Sequence, residues 1–110
     1  MNANEQQITI PSGQRSVADV NLGTDYQGIS HIHFIGNVAN KKLKIYKWSE
    51  FGNDYFPIYM LTDKTDTELD CIANKCIFFN QYILTGERFK FEFDSAVSSD
   101  VKIILFKTKR

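Results

Sequence analysis

The sequence predicts an all-β protein, a single antiparallel β-sandwich or jelly roll of about seven to eight strands. Three observations carry that prediction. Short apolar stretches recur at roughly ten-residue spacing, separated by Gly, Pro, Asn and Asp. Several of them alternate at period two, most clearly Glu87-Arg88-Phe89-Lys90-Phe91-Glu92-Phe93, where the phenylalanines fall two apart with charges between them, giving one aromatic face and one wet face. No long amphipathic helix is present, and parallel α/β folds need crossover helices for which the chain has no room.

Taken in order, residues 1–7 are polar and are expected to form a flexible N-terminal arm ahead of a single domain over residues 8–110. Ile8-Thr9-Ile10 reads as a first strand, stopped by Pro11-Ser12-Gly13, where Pro fixes φ and Gly permits positive φ. Arg15 to Leu22 reads as a second strand whose apolar phase shifts between Val17 and Val20, which predicts a β-bulge between them. Ile29 to Ile35 is a third strand, with Ile32 and Phe34 on one face and His31 and His33 on the other. Leu43 to Trp48 is a fourth. A Gly-Asn-Asp turn within Ser49 to Asp54 leads to Tyr55 to Leu61, whose Pro57 favours an edge or a strand start. Glu68 to Ile72 reads as a short strand. Cys76 to Leu84 fits a strand by composition or a buried helical turn by the spacing of Phe79, Ile83 and Leu84. The chain closes on a pair of strands, Glu87 to Phe93 and Val101 to Thr108, joined by the polar loop 94–100. The last is apolar on both faces, Val101, Ile103 and Leu105 on one and Ile104 and Phe106 on the other, as in an interior or covered strand.

At 110 residues the chain is long enough to bury a core without disulfide staples. Its 43% hydrophobic and 24% charged content is that of a globular domain. Thirteen Lys plus Arg balance thirteen Asp plus Glu, so no overall field draws it to nucleic acid or to anionic membrane. The N-terminus lacks the basic start and apolar run of a signal peptide, no stretch approaches a membrane span, and cytoplasmic synthesis of a soluble chain is the expectation. The two cysteines, Cys71 and Cys76, fit reduced thiols there.

Candidate chemistry is sparse. His31 and His33 project to one side of a strand, but a metal site needs a third ligand and none is fixed by the sequence. Asp63, Asp66, Glu68 and Asp70 lack the Gly and Glu spacing of an EF-hand, and read as a solvated loop. Asp94 and Ser95 sit in no nucleophile elbow. The chain is therefore read as no enzyme, with no cofactor and no metal. The aromatic set Tyr46, Trp48, Phe51, Tyr55, Phe56 and Tyr59 is the strongest signal. Core filling accounts for most of it, Trp48 being expected inside, while at least one of Tyr55 and Tyr59 is expected at the surface. Rings projecting at one end would offer a stacking platform for sugar or a hot-spot patch for protein. Trp48, Phe51, Tyr55 and Tyr59 are the candidate partner-binding residues.

The order of these features resembles a class of small β-sandwich accessory (auxiliary or decoration) capsid proteins of tailed bacteriophages. The likeness is carried by Ile8-Thr9-Ile10-Pro11-Ser12-Gly13, by the strand Ser16 to Gly23, by Leu43 to Tyr55 with its apolar strand, Ser, and Gly/Asp turn before an aromatic, and by Tyr82 to Phe91 with the terminal strand. It spans nearly the whole chain. The chain is richer in Lys, Asn and Phe than that pattern, and carries cysteines near residues 73–85. The resemblance implies a non-enzymatic virion component, assembled in the host cytoplasm, that binds the major capsid protein or other virion proteins in many copies, with a homo-oligomer as a further option. A carbohydrate- or receptor-binding module of a tail or head fibre is the alternative on the same fold.

Overall fold

The computed structural model describes residues 4–58, 68–71, 76–78, 84–85 and 88–109. Its strands are β1 (Glu5–Ile10), β2 (Ser16–Asn21), β3 (Tyr26–Ile35), β4 (Lys42–Ser49), β5 (Asp54–Pro57), β6 (Glu68–Asp70), β7 (Cys76–Phe78), β8 (Leu84–Thr85), β9 (Arg88–Phe93) and β10 (Val101–Lys109). Seven of these have four residues or more. The domain is all-β, as the alternation predicts.

Two antiparallel sheets form, one in the order β1-β10-β3-β7 with β8 also on β3, the other in the order β2-β9-β4-β5 with β6 also on β4. The pairings nest. First strand lies against last, second against next to last, and the tip of this long hairpin closes at β4 and β5. Alternate pairs fall in opposite sheets, which is jelly-roll connectivity.

One expectation is corrected here. β9 and β10 do not pair with each other. β9 lies between β2 and β4, while β10 lies between β1 and β3, so they belong to opposite sheets. Their inward faces, Phe89, Phe91 and Phe93 against Val101, Ile103 and Leu105, are all buried in one core. Packing two apolar faces across a core buries more of each than ladder pairing would. The loop 94–100 makes the crossing, and it is pinned: Val97 is buried, its N–H donates to the Gln14 carbonyl at 2.9 Å, and the Lys41 ammonium donates to Ser95 Oγ at 2.8 Å.

The N-terminal arm is also shorter than expected. Glu5 to Gln7 already pair with Phe106 to Ile104, and the Asn4 carbonyl accepts from Lys107 N–H at 2.7 Å. Outward polar residues on an edge strand look like an arm in sequence, because the ladder that holds them is made by backbone groups.

The bulge in β2 is present. Val17 opposes Phe91 and Val20 opposes Phe89, so one extra residue sits in β2, and Asp19 takes φ +56°. Aspartate tolerates that left-handed conformation better than most residues. β5, with Pro57, is paired on one side only among the described residues, in keeping with an edge. Residues 76–78 are strand, settling the composition reading for that part. Residues 59–67 and 79–83, and with them Tyr59, lie outside the described residues.

β3 ends at Ile35, and Gly36 follows it beside Asp100 and Val101 at the start of β10. Gly36 has φ +125°, and a Cβ there would stand 3.1 Å from the Asp100 carbonyl oxygen. Gly36→Ala is expected to destabilise the domain by about 1–3 kcal/mol, read as a lowered urea midpoint with unchanged slope.

Candidate functional site on the outer sheet face

Period-two alternation sends Arg88, Lys90 and Glu92 of β9 outward as their phenylalanine neighbours go in. On β4 the same rule turns Lys44, Tyr46 and Trp48 outward beside them, and the register sets Trp48 opposite Tyr55 of β5. The result is a set of cations lying on rings. The Arg88 guanidinium sits 4.0 Å from the Trp48 ring centroid and 5.6 Å from that of Tyr55, and the Lys90 ammonium 5.1 Å from that of Tyr46. Trp48 and Tyr55 meet edge to face at 5.1 Å. Both cations are attracted by the negative ring faces.

The β2 bulge adds an acid to this set. Asp19 Oδ1 accepts from Arg88 Nε at 3.0 Å, from the second guanidinium nitrogen at 2.5 Å, and from the Tyr55 hydroxyl at 2.5 Å. Its own N–H donates to the Tyr55 oxygen at 2.9 Å. Asp19, Arg88, Trp48 and Tyr55 thus form a clasp that ties edge strand β2, across β9 and β4, to the β4–β5 hairpin. Lower on the same face, Glu92 accepts from the Tyr46 hydroxyl at 3.1 Å and lies 3.7 Å from Lys90.

The clasp defines its own pH window. The Tyr55 hydroxyl and then Arg88 hold the Asp19 carboxyl below the usual carboxylate range. Burial and then the Asp19 carboxylate push the Tyr55 phenol up. A depressed acid contributes stability above its ordinary value, near pH 4, that is lost as pH falls through the folded value. A raised phenol contributes below about pH 10, and that contribution is lost as pH rises through its higher folded value. The clasp is therefore intact between roughly pH 4 and 10. Trp48 is the single tryptophan, so its emission reports on Arg88 directly. Emission is expected to stay constant from pH 5 to 9 and to change in acid before far-UV circular dichroism does. In Asp19→Asn the acid step that precedes unfolding disappears.

The structure brings Trp48 and Tyr55 together, but not as the sequence suggested. Trp48 is half-buried on the outer face under Arg88 and takes no part in the core. The inward places on β4 are filled by Leu43 and Ile45, and Trp48 falls in the opposite phase. Phe51 is fully exposed at the tip of the hairpin and Phe56 is 51% exposed beside it. A Cβ on Gly52 would stand 2.6 Å from the Phe56 ring, so Gly52 lets that ring lie flat on the turn. Arg88 and Asp19 carry much of the geometry and were not singled out by sequence reasoning. The alternation and the predicted bulge were the available signals; their meeting requires the β2–β9 register.

Elsewhere, His31 and His33 lie on the outer face of the other sheet, partly buried. Ser30 Oγ and His31 Nδ1 are hydrogen-bonded at 2.8 Å, and His31 meets Phe106 edge to face at 6.0 Å. No group of three metal-ligating residues occurs among the described residues. Cys71 packs half-buried against the core edge, and its N–H donates to the Lys41 carbonyl at 3.2 Å. Asp63 and Asp66 lie outside the described residues. Among those residues no helix is long and apolar enough to cross a membrane.

Fold and site together define a class, a small jelly-roll module that displays an aromatic-tipped hairpin on a clasped sheet. Neither a family model nor a curated protein matches the chain.

Proposed function

We propose that the chain is a non-enzymatic structural component of a tailed-phage virion, an auxiliary capsid protein that docks on the shell in many copies. The observation that carries this reading is Phe51, a large apolar side chain held fully in solvent at the tip of a short hairpin. Its base is fixed by the Asp19, Arg88 and Tyr55 hydrogen bonds, and its turn by the Gly52 N–H donating to Ser49 Oγ at 3.0 Å. An exposed aromatic on a hydrogen-bonded hairpin turn is the geometry of a protein-docking anchor, since the ring offers apolar area and the backbone that carries it is already ordered. Jelly rolls recur in viral capsid domains, which supports the same reading, and multiple copies on a symmetric lattice make weak contacts effective.

The carbohydrate- or receptor-binding alternative draws less support. A sugar needs an open ring face, and on this sheet Tyr46 and Trp48 each have one covered by a cation. Cosedimentation with empty phage heads, with isolated tails as comparison, tests the proposal. Saturable binding to heads in fixed ratio to the shell protein is expected. Binding to tails alone, or to neither, overturns it and brings a glycan panel to the front.

A further inference from the structure

The ends of the β2-β9-β4-β5 sheet carry opposite features. β4 begins at Lys42 and ends at Ser49, so its eight residues separate the two ends by about 25 Å. At the far end is the hairpin tip, where Phe51 is flanked by Glu50 and Asp54, all exposed. Asp54 accepts from the Tyr55 N–H at 2.7 Å, while the Glu50 carboxylate makes no hydrogen bond or ion pair among the described residues.

At the near end is an open cleft of about 230 Å³, lined by Arg15, Lys42, Lys44, Glu92, Phe93 and Asp94. Its carboxylates are already engaged. Glu92 has Tyr46 and Lys90, and Asp94 Oδ1 accepts from the Lys42 N–H at 3.2 Å. The Arg15 carbonyl accepts from the Phe93 N–H at 2.7 Å, and its guanidinium makes no hydrogen bond or ion pair among the described residues. A guanidinium free of an acid offers what an acidic aromatic tip requires, since it stacks on a ring and pairs with a carboxylate.

We propose that these two ends recognise each other between copies, the Phe51 tip of one chain docking in the Arg15 cleft of a second, with Glu50 meeting Arg15. The occupant is a second copy because both halves of the complementary pair are on this chain, whose net charge is zero while these two ends differ. Tip and cleft are different surfaces, so the contact is head-to-tail and extends into rings or open chains. The proposal rests on reading the tip as a docking element; one tip serves one partner at a time, a second copy in free solution or the shell on the head.

Sedimentation velocity of the purified full chain tests it. Association that grows with concentration and weakens between about 0.05 and 0.5 M salt is expected. Phe51→Ser and Arg15→Glu are each expected to weaken it roughly tenfold or more. The two variants mixed still form a dimer, because one retains an intact cleft and the other an intact tip. Glu50→Arg combined with Arg15→Glu restores association. A chain that stays monomeric to millimolar concentration, or two variants that show no dimer when mixed while their circular dichroism is native, overturns the proposal. Head binding read on the same variants separates the two readings: Arg15→Glu that still binds heads singly leaves the shell contact standing without contact between copies.

Discussion

Phe91→Ala is expected to destabilise the domain by about 3–5 kcal/mol, against total stabilities of about 5–15 kcal/mol for domains of this kind. Phe91 is fully buried in the middle of β9, with Val17 opposite it on β2 and Ile45 on β4. Its ring packs at 6.4 Å from Phe89, and next along the strand Phe93 meets Phe34 of the other sheet at 6.0 Å. Removing it takes away the transfer energy of a ring and leaves a void where two sheets meet, which paired strands cannot close without breaking ladder hydrogen bonds. Urea unfolding followed by Trp48 emission and by circular dichroism measures it. A loss below 1 kcal/mol would mean that the sheets are not packed face to face as described.

The second large effect is at the opposite extreme of exposure. Phe51→Asp is expected to leave the unfolding free energy within about 0.5 kcal/mol of the parent, because an exposed turn residue contributes little to folding. The same substitution is expected to reduce binding to phage heads at least tenfold, since truncating an anchor of this kind typically removes 2 kcal/mol or more. Cosedimentation across a concentration series gives the ratio. Unchanged binding would remove Phe51 as the anchor. Arg88→Ala separates tip chemistry from tip positioning: it leaves Phe51 in place, uncovers the Trp48 ring and leaves Asp19 tied to Tyr55 alone, so it is expected to weaken binding less than Phe51→Asp while shifting Trp48 emission. Equal losses in the two variants would mean that the clasp, and not the ring, makes the contact.

Much of this protein was legible one strand at a time. The alternation of Phe89, Phe91 and Phe93 fixed which face of β9 is buried, because side-chain direction along a strand has period two whatever the strand pairs with. The Val17 to Val20 phase shift located the bulge between those two residues for the same reason, and the structure put the positive φ within it on Asp19. Pro57 marked an edge by lacking an N–H. Turn residues around Gly13, Gly36 and Asn53 placed breaks between strands, and all three have positive φ.

Pairing is another matter, because ladder hydrogen bonds are made by backbone groups common to every residue, so the sequence carries little information about which strand lies beside which. Adjacency in the chain suggested that β9 and β10 form a pair, and the tertiary structure put them in opposite sheets. It also drew Glu5 to Gln7 into a ladder and turned Trp48 from expected core to a ring beneath Arg88. The clasp depends on all of this at once: a bulge on β2, the outward phase of β9 and β4, and the register that sets Trp48 beside Tyr55. By itself the sequence determined an all-β domain with a phenylalanine core and a spare set of aromatics. Only the tertiary structure decided that three of those aromatics, Tyr46, Trp48 and Tyr55, hold cations while Phe51 stands in solvent, since that division follows from contacts between strands far apart in the chain.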